Sequence, residues 1–140
     1  MSHTSVLHSI KLAYHHKSLY TFLPYSPFTI QILLLLARTG FISHFTHIVG
    51  AHKIKVFLKY HLNIPALTSV RFVSKSTRLY STKLNTMVTT KKFQPPILFH
   101  ANKPFSPFST VSIISTHLGL LTHHEAIKAN VSGIVLCHLY

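Results

Sequence analysis

Apolar and polar residues alternate in blocks along this chain, and the blocks set the elements it is expected to form. Residues 28–37 are the most apolar stretch, with Leu33, Leu34, Leu35 and Leu36 unbroken inside an uncharged run that covers residues 18–37. From residue 28 to residue 62 there is one candidate helical zone without proline, weakened at Gly40 and Gly50, since glycine costs up to about 1 kcal/mol relative to alanine in a helix. Past Gly50, Ile54, Phe57, Leu58, His61 and Leu62 follow the spacing i, i+3, i+4, i+7, i+8, one face of a helix, with Lys53, Lys55 and Lys59 outside the stripe. Asn63 and Pro65 supply a stop. Upstream, Val6, Leu7, Ile10, Leu12 and Tyr14 make a looser stripe that His3, His8, His15 and His16 interrupt.

Beyond residue 65 the texture changes. Hydroxyl and β-branched residues dominate 66–93, a strand-prone or extended composition without a two-residue hairpin signal. Pro95, Pro96, Pro104 and Pro107 then mark a linker. Residues 108–140 are apolar again, and Val111, Ile113, Ile114, Leu118, Leu120 and Leu121 fit a strand pair or a buried helix equally. No single fold is specified. The expected class is a mainly α-helical, apolar N-terminal half, an extended or disordered basic middle and a small apolar C-terminal segment. The segments are a polar-basic 1–27, a helical 28–62, a linker-like 63–107 and an apolar 108–140.

The apolar stretch must be buried in protein or placed in lipid. A bilayer span needs about 20 mostly apolar residues. The window 18–37 has that length, but Pro24 and Pro27 remove backbone donors that lipid cannot replace. Sliding to 28–51 escapes the prolines and puts Arg38 inside, at about 2.5 to 3.5 kcal/mol if central. Both windows balance near zero, so a span competes with an interfacial or partly buried helix. A signal peptide fits poorly, because the apolar core begins too far from the N-terminus.

Charge narrows the picture. The 140 residues carry 14 Lys and Arg against one acid, Glu125, for a formal net charge of +13. With 11% charged residues, where about 25% is usual, the surface is short of solvating groups. Internal ion pairs are limited to Glu125, which could reach Lys128 on a helix. Such a chain wants an external anion: nucleic acid, anionic lipid or an acidic partner. Asp, Glu, Gly and Trp, whose codons need guanine in the first or second position, are scarce. That composition is also expected of a young or fortuitous reading frame without evolved function.

Candidate chemistry is sparse. The single Cys137 excludes an internal disulfide, and its apolar neighbours Val135, Leu136 and Leu139 suit an inert thiol. Among 13 histidines, His44 and His47 would share a helical face. His124-Glu125 starts a zinc-protease pattern, but Lys128 stands where the second histidine is required. No nucleophile elbow or phosphate-cradling glycine loop is present, so neither enzyme activity, a metal nor a cofactor is expected. Lys and Arg of residues 71–92 interleave with Phe72 and Tyr80, with Phe93 beside them, residue types suited to backbone contact and base stacking. Residues 71–84, and Arg78-Leu79-Tyr80-Ser81 within them, resemble a mitochondrial presequence with its processing site. This resemblance implies a mitochondrial destination.

Together these features point first to a small, non-enzymatic, membrane-associated polypeptide. It would hold anionic lipid through residues 28–37 and an amphipathic helix over 52–62, with Lys53, Ile54, Lys55, Phe57, Leu58, Lys59 and Leu62 as the membrane-contacting residues. The alternative is a non-specific nucleic-acid-binding basic polypeptide that uses residues 71–92.

Overall fold

A computed structural model of the chain describes residues 3–74, 77–82 and 111–140. The chain divides into two compact units, Met1–Val70 and Arg71–Tyr140. The first opens with helix α1 (His3–His15), which buries Val6, Leu7, Ile10, Ala13 and Tyr14 and leaves Leu12 in solvent. Strand β1 (Tyr20–Pro24) and helix α2 (Pro27–Thr39) follow. Pro27 stands at the start of α2, where its missing N–H is no loss. Gly40 ends the helix at φ 85°, a left-handed conformation that glycine adopts without strain. It terminates the helix rather than weakening its interior.

Helix α2 settles where the apolar stretch goes. Thr29, Ile32, Leu33, Leu35 and Leu36 are buried and Leu34 is exposed, so three of the four leucines of the run join one protein-facing stripe. Thirteen residues span about 20 Å at 1.5 Å per residue, short of a hydrocarbon layer of about 30 Å. Among the described residues, no helix is long and apolar enough to cross a membrane.

The expected helix over residues 52–62 is replaced by strands. Strand β2 (Ile42–Ile48), a short 3₁₀ turn (Val49–Ala51) and strand β3 (Lys53–Leu58) make an antiparallel hairpin, with His52 at φ 46° in the connection. Strand β1 pairs antiparallel with the other edge of β3, giving the order β1-β3-β2. The physical reason lies in Val56, which falls outside the helical stripe. Counting it, Lys-Ile-Lys-Val-Phe-Leu alternates with period two, and Ile54, Val56 and Leu58 are buried together. Strands β4 (Tyr60–His61) and β5 (Ile64–Pro65) pair as a small hairpin around Leu62 and Asn63, both at positive φ. Helix α1 contacts β1 and α2, and α2 contacts β2.

The second unit is built on a five-stranded sheet. Strand β6 (Val70–Phe72), strand β7 (Ser81–Thr82), the hairpin β8 (Val111–Thr116) and β9 (Gly119–Thr122), helix α3 (His123–Lys128) and strand β10 (Gly133–Leu139) follow in sequence. The sheet runs β6-β10-β8-β9, and β7 also pairs with β10. Ile114, Ala126, Val131 and Val135 form its core, with Val73, Leu121 and Ile127 packed against them. The mainly helical expectation is therefore corrected to a mixed α/β fold in which strands dominate. Much of the expected extended or disordered basic middle, including the proline linker, falls in residues 83–110, outside the described residues.

Candidate nucleic-acid interface

In the second unit, strand β6 presents Arg71 to solvent, beside β10. The segment after it is fastened to β10. Val73 and Ser74 donate their N–H groups to the Leu136 carbonyl, at a bulge in the β10–β8 register. The Ser74 hydroxyl donates to the Val135 carbonyl and accepts from the Tyr80 N–H at 2.9 Å, and Val135 N–H returns a bond to the Tyr80 carbonyl. Arg78, Leu79 and Tyr80 are exposed on this loop. The presequence-like stretch is thus partly woven into a sheet. Lys75 and residues 83–92, the rest of the basic run, lie outside the described residues.

Two histidines meet at Ser112 of β8, and one of them, His138, lies within electrostatic reach of Arg71. The Ser112 hydroxyl is 2.6 Å from His138 Nδ1, and Ser112 N–H donates to His123 Nδ1 at 3.2 Å. Burial, with His124 and His138 adding to it, pushes the His123 imidazole down to about 4. Burial and then Arg71 hold His138 below its usual range. His123 is therefore neutral at pH 7, and among the described residues beside β10 the exposed Arg71 and Arg78 carry fixed positive charge on planar guanidinium groups that suit phosphate oxygens. The thiol of Cys137 is buried and pushed up to about 12, consistent with an inert side chain.

A shaped turn joins β8 to β9. The Thr116 hydroxyl donates to the Gly119 carbonyl at 2.9 Å and accepts from Leu118 N–H at 3.2 Å, with Gly119 at φ 110°. His117 and Leu118 are exposed at its tip. Behind it, Gly133 lets β10 approach β8 closely: a Cβ there would stand 2.3 Å from the Ser115 carbonyl oxygen. The sole carboxylate is occupied locally. Glu125 accepts from Thr122 N–H at 2.9 Å while the Thr122 hydroxyl accepts from Glu125 N–H, a reciprocal cap on α3.

The seven residues expected to touch lipid are separated in the first unit. Lys53, Lys55 and Phe57 share the outer face of β3, whereas Ile54 and Leu58 point into the core. Lys59 lies past the strand, its N–H donating to the Tyr14 hydroxyl at 3.1 Å, and Leu62 is exposed in the β4–β5 turn. No common lipid-facing surface contains all of them.

Register brings to that outer face residues the sequence reading passed over. Tyr20 pairs with Phe57, Phe22 with Lys55, and His44 with Phe57. His44 stacks on Phe57 with ring centroids 4.2 Å apart, and Lys55 Nζ lies 4.1 Å from the Tyr20 ring centre. The only hint in the sequence was the alternation Tyr-Thr-Phe in β1, and it could not show which strand it joins.

Comparison with known proteins yields one family. The profile described as ribosomal protein S8 matches residues 4–98. The chain is similar to the small ribosomal subunit protein uS8 of Mycoplasmopsis agalactiae, 33% identical over 134 residues that cover 94% of this chain and 90% of the relative. It is likewise similar to the uS8 proteins of Mycoplasmopsis pulmonis, at 33% identity covering 89% of this chain and 83% of the relative, and of Metamycoplasma arthritidis, at 34% covering 84% and 80%.

Proposed function

We infer, from the premise that the chain belongs to the ribosomal protein S8 family, that it is a structural, rRNA-binding component of a small ribosomal subunit. The observation that carries this reading is the reach of the likeness, which runs through nearly the full length of both the chain and its relatives. The charge supports it. A chain at +13 whose one carboxylate is turned into a helix cap has little negative charge to set against RNA phosphates.

Membership in this family overturns the membrane-associated reading, together with its membrane localisation, its anionic-lipid partner and the idea of a reading frame without evolved function. The apolar stretch that suggested lipid is the buried stripe of α2. Nucleic-acid binding, the alternative raised by the basic middle, is the reading the family favours. The family is structural, and the chain is not an enzyme.

Two parts of the second unit support RNA contact: the arginines beside β10, for phosphate, and the hydroxyl-fixed β8–β9 turn, whose narrow shape suits a groove edge. The test is sedimentation of the tagged chain from its own cells, followed by sequencing of photo-crosslinked RNA. The expected outcome is migration with small subunits and crosslinks concentrated in a few segments of small-subunit rRNA. Recovery with membranes, or crosslinks spread over all cellular RNA in proportion to abundance, would count against the proposal.

A further inference from the structure

Among the described residues no helix covers the outer face of the β1-β3-β2 sheet, and its composition is unusual for a solvent face. Tyr20 and Phe22 are 46% and 50% exposed. Their rings stand 5.5 Å apart, nearly at right angles. Tyr20 also meets Phe57 across the strand pair at 6.4 Å, and Phe57 carries the stacked, exposed ring of His44. Lys55 Nζ sits 4.1 Å from the Tyr20 ring centre and 5.0 Å from that of Phe57, while Lys53 is exposed one step along the same face.

Cross-strand aromatic pairs stabilise sheets, and that alone would account for two rings in register. It does not account for half-exposed rings continuing across three strands beside lysines. Nor does it account for the absence of any Asp or Glu from the whole unit. A protein partner meeting this face would have to bring its own acids. Unpaired nucleic acid brings both required chemistries: flat bases for the rings and phosphates for the ammonium groups.

We propose that this sheet face is a stacking platform for unpaired RNA, with bases lying on Phe22 and on the His44–Phe57 pair and phosphates meeting Lys53 and Lys55. The proposal rests on the RNA-binding reading above and adds a second contact, in the other unit, that takes single strands. A duplex cannot use the platform, because its bases are stacked on one another and their faces are closed.

The chain contains no tryptophan, so Phe22→Trp in the full-length protein places a single indole on the platform. Its emission is followed during titration with octa-adenylate, with an RNA duplex of equal length and with inorganic polyphosphate. Strong quenching by octa-adenylate and little by the other two is expected. Adding Phe57→Ala should weaken octa-adenylate binding about tenfold, the scale of one lost base–ring stack. Phe57→Tyr, which keeps the ring, should restore it and so separates stacking from misfolding. Equal quenching by all three probes, or an affinity indifferent to Phe57→Ala, would overturn the platform. If the chain binds small-subunit rRNA while no probe quenches the indole, the platform alone is wrong and the family-level function stands. If neither occurs, the function itself fails.

Discussion

Tyr14 shows how much one side chain holds in the first unit. Its ring is buried on α1, its hydroxyl donates to the Phe41 carbonyl just after α2, and it accepts from Lys59 N–H just after β3. Burial raises the phenol above its usual value, so it stays protonated and able to donate. Tyr14→Phe keeps the packing but strands both partners, and should lower stability by about 1 to 3 kcal/mol in urea unfolding. His123 provides a pH-dependent counterpart. Its Nδ1 accepts from Ser112 N–H, so protonation removes the acceptor. With a folded value near 4 and an unfolded value of 6.5, the unfolded chain binds the extra proton between them. Its contribution is therefore present above pH 6.5 and is lost as pH falls toward 4. His123→Asn, which offers an oxygen in place of Nδ1, should flatten that part of the urea-midpoint profile. An unchanged slope would show that other groups govern it. At this scale the sequence was legible for Cys137, whose neighbours announced burial, but not for Tyr14, whose partners lie 27 and 45 residues away.

Elements were readable where local pattern and final environment agreed. The stripe of Val6, Leu7, Ile10, Leu12 and Tyr14 became α1 with Leu12 left outside, and Leu33, Leu35 and Leu36 joined the buried face of α2, whereas the C-terminal segment, open to a strand pair or a buried helix, was decided only by the β8–β9 pairing. The β2–β3 hairpin was hidden because Ile54, Phe57 and Leu58 satisfy a helical period by coincidence. Only pairing on both edges makes the two-residue period decisive. The α3 cap was open to reading, since Thr122 and Glu125 have the capping-box spacing. Treating Glu125 only as a charge, with Lys128 as its partner, passed over that role. Thr122→Ala should cost about 1 kcal/mol by removing the cap. Gly133→Ala should cost about 2 kcal/mol or more, because the new Cβ meets a backbone oxygen of β8 that cannot swing aside. Chemical denaturation of each variant checks both values, and a neutral Gly133→Ala would mean the two strands can separate there without penalty.

For the whole molecule, net charge indicated an anionic partner without distinguishing lipid from RNA. Apolar and basic composition looks alike whether the apolar part meets a bilayer or its own sheet, and only the fold and the family separate them. The RNA reading requires affinity that falls linearly with salt on a logarithmic plot. Neutralising the exposed Arg78 to Gln should shallow that slope by about one if it meets a phosphate, while leaving the preference between RNAs unchanged. As proposed above, this family member recognises small-subunit rRNA rather than any polyanion it meets. Competition at near-physiological salt tests it most directly. Small-subunit rRNA from the chain's own organism is labelled and bound, then challenged with large-subunit rRNA and with anionic vesicles. Large-subunit rRNA is expected to compete only in about a hundredfold excess or more, and the vesicles not at all. Displacement by either at equal concentration would contradict the proposal.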